Sequence, residues 1–350
     1  MKTVGERKNH LRFEFGPVAL RFHRGRAVLF ACLAVALALS AIAALATGSG
    51  QAGLGEVLAY LSEPGRTAEP SLSVIGDLRL PRVAMALACG AMLGLAGAAL
   101  QTLTRNGLAD PGLLGVREGA SLAVISLMLA FPGAPLMARP IAGMAGGLCV
   151  ALVALAIARS LSRMRFILVG IGISWFLSAV LAVILTAADV DRIQAAMIWM
   201  AGSLAGTQRE MLPIAFVSLA IGGGVLAVTA RAADASLLGE KAAIGLGVWM
   251  GGLRMASLSA PILMTAAAVS CAGSLGFVGL VAPHLARLLL GGGQGMLLAG
   301  SAVFGAGLVL TADTIGRTLF APLQIPAGIV LAVIGVSLLA ILIWRRRNEM

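Results

Sequence analysis

Residues 78–116 read LRLPRVAMALACGAMLGLAGAALQTLTRNGLADPGLLGV. Arg79 and Arg82 bracket Pro81 at the start, residues 82–104 run apolar and rich in small side chains, and RNGLADPG closes the stretch. About 20 apolar residues in a helix cross a ~30 Å hydrocarbon layer, so the run predicts a spanning helix with a basic entry and a compact polar exit. In the exit, Asn106 and Asp110 favour turn geometry, while Gly107 and Pro111 punctuate it. Asn106, Asp110 and Pro111 are therefore expected to build a structural turn. Gly90, Gly94 and Gly97 fall on one helix face, a spacing that lets backbones approach closely in lipid, and Gly143 with Gly147 repeats it.

The rest of the chain agrees with this reading. Of its 350 residues, 59% are hydrophobic and 12% charged, with a mean hydropathy of +0.98. A soluble core cannot hold that much apolar surface, so much of it faces lipid. The apolar runs are continuous rather than alternating, which predicts helices and not barrel strands. Ten spans are expected, near 27–47, 82–104, 113–131, 140–158, 166–187, 212–230, 255–273, 276–290, 297–316 and 326–344. Segment 276–290 is short for a spanning helix and fits a tilted, broken or re-entrant one. The expected fold is an all-α polytopic membrane protein, with a basic arm over 1–26 and one membrane domain over 27–350.

With the N-terminus inside, nineteen of the 26 Lys and Arg residues fall on the cytoplasmic side and seven outside. Both termini are therefore expected in the cytoplasm. The apolar run Ala27–Ala46 is longer than the roughly 7 to 15 residues of a cleavable signal core, and reads as a retained anchor. Basic segments beside anionic lipid account for the net charge of +11, and no nucleic-acid partner is expected.

A second block, GSLGFVGLVAPHLAR over 273–287, stands beside the first. Both blocks resemble signatures of the FecCD-type ABC importer permeases, which carry iron-siderophores, heme or cobalamin, and the resemblance runs from about Val57 to Arg345. It implies a type II importer permease bundle in the bacterial inner membrane, paired with a second copy. Two ATPase subunits below and one periplasmic substrate-binding protein above would complete the assembly, moving cargo by alternating access. The chain departs from the family pattern at Gly107, at Arg117-Glu118 and at Val336-Ser337.

Three groups of residues follow from the resemblance. Arg79, Arg82 and Arg317 match arginines that pair with acidic residues of the binding protein; snorkelling to headgroups is the plainer reading of one or two of them. The segment ADASLLGEKAAIGLGV over 233–248 matches the element that docks into the ATPase, with Ser236, Leu238, Gly239, Glu240, Gly245 and Gly247 as its residues. On its own chemistry, Asp234 or Ser236 can cap a short helix there and the glycines break it. The segment Asp189–Glu210 is amphipathic and too polar at both ends to span. It matches a short helix lining the pathway, with Met197, Trp199, Met200, Gly202 and Ser203 as candidates. The alternative is an interfacial helix anchored by Trp199.

Other chemistry finds no support in the sequence. No GxxxxGK[ST] run cradles a nucleotide phosphate, so ATP hydrolysis is expected on a partner and the chain itself is not an enzyme. Cys32, Cys89, Cys149 and Cys271 sit in predicted spans without metal-ligand spacing, His284 lies inside the APHLAR block, and neither a metal nor a cofactor is expected. Asp313 is expected to serve structure through Arg317 or a backbone amide. The competing class is an ion-coupled carrier, which needs ionisable residues at the bilayer midplane where these spans carry almost none. Wording within GLVAPHLAR favours a siderophore cargo over heme or cobalamin.

Overall fold

The computed structural model describes residues 10–15, 18–48, 53–62, 70–158 and 163–346. Strands β1 (His10–Phe15) and β2 (Val18–His23) pair antiparallel, with His10 opposite His23. They lead directly into α1 (Arg24–Ala46). Helices α2 (Leu54–Ser62) and α3 (Pro70–Ser73) follow, and a π-helical turn over Val74–Arg79 runs on into α4 (Leu80–Thr104). A short 3-10 turn at Pro111–Leu114 precedes α5 (Val116–Ala130), α6 (Ala138–Ala158) and α7 (Arg163–Thr186). Then come α8 (Val190–Met200), α9 (Leu212–Leu237) and α10 (Glu240–Gly245). The chain ends with α11 (Met250–Ala272), α12 (Val278–Leu289), α13 (Gln294–Thr318) and α14 (Ala327–Arg346).

A helix stands at each of the ten expected spans. Among the described residues, seven helices are long and apolar enough to cross a membrane. α5 has 15 residues and α12 has 12, about 22 Å and 18 Å of helix, short of a ~30 Å core. The bundle is all-helical, and the hairpin of residues 10–23 is an addition to it. The sequence reading gives only a basic arm over 1–26, yet HLRFEF alternates polar with apolar residues before Gly16-Pro17 and LRFH does so after it, a strand-like period.

The architecture is organised around α4, which is buried along almost its whole length and packs against α13, α11, α12 and α9. Its small residues make this possible. A Cβ built on Gly90 would stand 2.3 Å from the carbonyl oxygen of Gly305 on α13, and one on Gly97 would stand 1.8 Å from that of Gly279 on α12. Only glycine lets these backbones touch, the close approach that replaces hydrophobic drive between helices in lipid. Helices α1 and α7 lie at the periphery with most of their surface exposed.

The segment expected to be short proves to be broken. α11 ends at Ala272, five residues from Gly273 (φ 72°) to Phe277 pass without helix, and α12 restarts after Phe277, whose φ of 65° is left-handed. The break is held by packing rather than by lipid. Gly273 lies against the Trp199 carbonyl at the end of α8, and the Gly328 N–H at the start of α14 donates to the Gly202 carbonyl at 2.9 Å. α14 runs helical through Val336-Ser337, where Ser337 donates to the Val333 carbonyl at 2.8 Å.

Replacing Gly97 by Leu should separate α4 from α12 and cost well over the ~1–3 kcal/mol typical of overpacking. Size-exclusion chromatography in detergent should show the monodisperse peak of the full chain lost; an unchanged profile would disprove the close approach.

Candidate functional site

Chemistry-bearing side chains collect at the two ends of the bundle, here named the arginine end, where α4 starts, and the turn end, where it finishes. At the arginine end the last turn of α1 presents carbonyls with no helical partner. Arg79 donates to the Leu45 carbonyl at 2.7 Å, and Arg317 donates to the carbonyls of Thr47, at 2.5 Å, and Ala44. Cations at a helix C-terminus also meet the negative end of its dipole. Both arginines are buried, at 6% and 9% exposure, so their guanidinium groups are turned into the chain. Arg82 forks onto Asp313, with Nε–Oδ2 and Nη2–Oδ1 both 2.9 Å, and reaches Gln324 Oε1 at 3.0 Å. Asp313 is thus held most closely by Arg82, and the expected Arg317 makes a second, longer ion pair with it at 4.0 Å. A more exposed cation, Arg209, lies nearby and donates to the Gly76 carbonyl at 2.9 Å; sequence reading had passed over it.

At the turn end the expected structural turn is present in detail. Arg105 caps α4 in the left-handed conformation (φ 52°), Asn106 Oδ1 accepts from the Leu108 N–H at 2.9 Å, and Asp110 Oδ2 accepts from the Gly112 N–H at 2.8 Å. Pro111 opens the 3-10 turn and packs on Gly279. A polar network ties this end to its neighbours. Arg287 donates to Gln101 Oε1 at 2.6 Å, Gln101 donates to the Gly279 carbonyl at 3.3 Å, and Thr102 donates to Gln294 Oε1 at 2.9 Å.

The segment over 233–248 folds differently from its expected capping. α9 continues to Leu237, so Asp234 and Ser236 lie inside it. Asp234 instead accepts from the Gln294 N–H at 2.8 Å and caps α13, while the Ser236 carbonyl accepts from Arg105 at 2.7 Å. Gly239 (φ 109°) and Gly247 (φ 82°) bracket α10, as glycine alone does without strain. Gly245 is its last residue, and Glu240 pairs with Arg254 at 2.8 Å. The element presents Leu238 and Trp249, 71% and 82% exposed, together with Ile244 and Leu246.

The short helix expected within Asp189–Glu210 is α8. Met197 is exposed, whereas Trp199 and Met200 pack onto a cluster of Ile125, Leu181 and Ala196. Gly202 (φ 77°) turns the chain toward α14, and Ser203 accepts from the Ala205 N–H at 3.2 Å. A cavity of about 430 Å³ opens nearer the turn end, between α5, α7 and the break before α12. Arg117, Glu118, Asp110 and Trp175 line it. Among the described residues no group of His, Cys, Asp and Glu could hold a metal ion.

Two predictions follow from these contacts. Asp313→Ala leaves the Arg82 guanidinium half-buried without its carboxylate, a loss of about 3 kcal/mol by the usual cost of breaking a buried pair. It should lower Tm in detergent far more than Asp77→Ala, whose pair with Arg209 is exposed and 3.6 Å long. Burial raises the Asp110 carboxyl above its ordinary range, against the opposing Gly112 N–H and Arg117 and with help from Glu118. The folded chain therefore holds this proton more tightly than the unfolded one, and the stability it confers is full at acid pH and falls as pH rises through the folded value. Asp110→Asn keeps an oxygen for Gly112 and cannot ionise, so its Tm should match wild type near pH 4 and exceed it at pH 7. A lower Tm at pH 7 would show that the charge itself stabilises the turn.

Comparisons with known proteins agree in family. A model of the FecCD transport family matches residues 35–345. The chain is 38% identical over 284 residues to the probable siderophore transport system permease protein YfhA of Bacillus subtilis (strain 168), covering 79% of this chain and 83% of that protein. It is 36% identical over 324 residues to the achromobactin transport system permease protein CbrC of Dickeya dadantii (strain 3937), with 90% and 91% covered. To the hemin transport system permease protein HmuU of Yersinia pestis it is 37% identical over 283 residues, with 78% and 84% covered. A solved structure of a metal-chelate type ABC transporter in an inward-facing conformation superposes with a TM-score of 0.81 at 28% identity, covering 91% of this chain and 99% of that one. Carrying the same helices over nearly its whole described length, the chain belongs to the FecCD transport family.

Proposed function

We propose that this chain is the permease subunit of an ATP-driven, binding-protein-dependent importer of iron(III) chelates in the bacterial inner membrane. The observation that carries the reading is the short element after α9. It is braced by Arg105 and by the Glu240–Arg254 pair, yet leaves Leu238, Ile244, Leu246 and Trp249 without cover. An amphipathic element that keeps large apolar side chains bare beside charged ones fits a groove on another protein. The partner is an ATPase subunit, two copies to an assembly with two permeases, and its closure on ATP moves α9 and α11 through the element between them. Ser236, Leu238, Gly239, Glu240, Gly245 and Gly247 form that coupling element, and the turn end is its cytoplasmic face, with both termini on the same side.

The arginine end is then the outer face, where a substrate-binding protein docks. Arg79, Arg82 and Arg317 take part from beneath, by fixing the end of α1 and the start of α4, while Arg209 offers an exposed cation to acidic partners. Met197, Trp199, Met200, Gly202 and Ser203 line the outer pathway along α8. Cargo is a ferric siderophore or a related ferric chelate. Similar identities to siderophore and hemin permeases make heme the second reading. A coupled carrier is disfavoured because the charged side chains described here stand at helix ends rather than mid-span.

Uptake of radiolabelled iron, supplied as ferric siderophore, ferric citrate or hemin to cells with and without the chain, tests the cargo. Loss of chelate uptake alone supports the reading, loss of hemin uptake alone moves it to heme, and no loss of either overturns it. Trp249→Asp should leave membrane insertion intact and reduce both uptake and co-purification of the ATPase by at least about tenfold, the scale of a lost interface anchor. Normal co-purification would remove the coupling role.

A further inference from the structure

The cavity beside α5 contains a charge arrangement that stability does not account for. Arg117 stands in the first turn of α5, where the helix dipole disfavours a cation. Its partner is the adjacent Glu118, and neighbours at i, i+1 point to different faces of a helix, so the pair gives α5 no routine support. Arg117 nonetheless folds back, donating from Nε at 3.0 Å and from Nη2 at 2.8 Å to the same oxygen, Oε1 of Glu118. The other oxygen, Oε2, is buried with no hydrogen-bond partner. A pair serving structure alone would be expected to satisfy both carboxylate oxygens.

The exposures of the two side chains differ. The Glu118 side chain is 11% exposed and that of Arg117 39%. Nη1 of Arg117 makes no hydrogen bond to the described residues and lies beside the Asp110–Gly112 turn that edges the cavity. Glu118 thus holds the guanidinium in one orientation, with Nη1 beside the Asp110–Gly112 turn at the edge of the cavity. Across the cavity α7 contributes Ser174, Ser178 and Trp175.

Resting on the importer reading above, we propose that Arg117 is a specificity-determining contact for anionic cargo. Its Nη1 donates to a carboxylate or phenolate oxygen of a ferric chelate passing the cavity, while Trp175 supplies an apolar wall. Guanidinium groups suit carboxylates in geometry and charge. A bare arginine would hold a polyanionic chelate too long for transport. Glu118 cancels most of the charge and leaves a directional donor, so binding is weak enough to release. Chelates without a free anionic oxygen meet only Trp175 and the serine hydroxyls, and gain nothing from Arg117.

The test uses the permease with its native tryptophans, assembled with its ATPase in lipid nanodiscs. Binding of radiolabelled iron is measured at pH 7 by equilibrium dialysis with ferric citrate, which is anionic, and with a neutral ferric trihydroxamate. R117Q should raise the dissociation constant of ferric citrate about tenfold, the scale of one charge-assisted hydrogen bond, and leave the trihydroxamate within about twofold. E118Q should lower it for ferric citrate, and R117K should recover part of the R117Q loss. Equal shifts for both chelates, or none for either, would overturn the proposal. Iron uptake by cells carrying the chain separates the two failures. If chelate uptake is intact while R117Q binds like its parent, only this contact is wrong; if no chelate is taken up, the importer reading falls as well.

Discussion

Everything else in this molecule depends on the touching of bare backbones along α4. In lipid no water is released when two apolar helices meet, so cohesion comes from the number of atoms brought within van der Waals range. At Gly90 and Gly97 the gap between helices is set by main chain against main chain. That contact fixes α13 and α12 around α4 and so fixes where the ends of those helices stand. The polar residues of both ends are attached to this frame. Gln101 and Thr102 can reach α12 and α13 at the turn end because α4 lies so close to both, and Arg82 can reach Asp313 at the other end for the same reason.

Both ends solve a common problem by different means. A helix terminus leaves several backbone groups unpaired, and near a bilayer those groups cannot count on water. The carbonyls closing α1 receive arginines from α13 and from the turn before α4, whereas the first N–H groups of α13 receive the carboxylate of Asp234 from α9. In each case the sign of the side chain matches the helix dipole, and a residue from one helix completes another. Capping in this chain is therefore tertiary, which makes helix ends dependent on the bundle and the bundle dependent on helix ends.

That dependence explains what the sequence disclosed. Long apolar runs fixed the helices, and glycine spacing pointed to the close face of α4, because both signals are local. Asn106, Asp110 and Pro111 were legible as a turn since their hydrogen bonds stay within a few residues. Asp234 and Ser236 were misread as starting a short helix because the alanine-rich stretch before them carries α9 onward, and only Gly239 stops it. The nearest partner of Asp313 lies 231 residues away, and the inward turn of Arg79 and Arg317 depends on where α1 ends. Such pairings have no local signature. The hairpin at 10–23 has a local signal in the alternation of HLRFEF, but the three apolar residues that open VALRFH blur it.

The break before α12 also bears on hydration. Between Gly273 and Phe277 the chain leaves the helix within a segment flanked by spanning helices, so several of its peptide groups cannot be turned toward hydrocarbon. Gly276 and Phe277 border the cavity beside α5. Irregular backbone at such depth is tolerated where it is buried in protein or lines a water-filled cavity, and this stretch borders a cavity that opens to its surroundings. The short helix thereby sets its unpaired main chain beside an opening, where solvent rather than hydrocarbon can meet it.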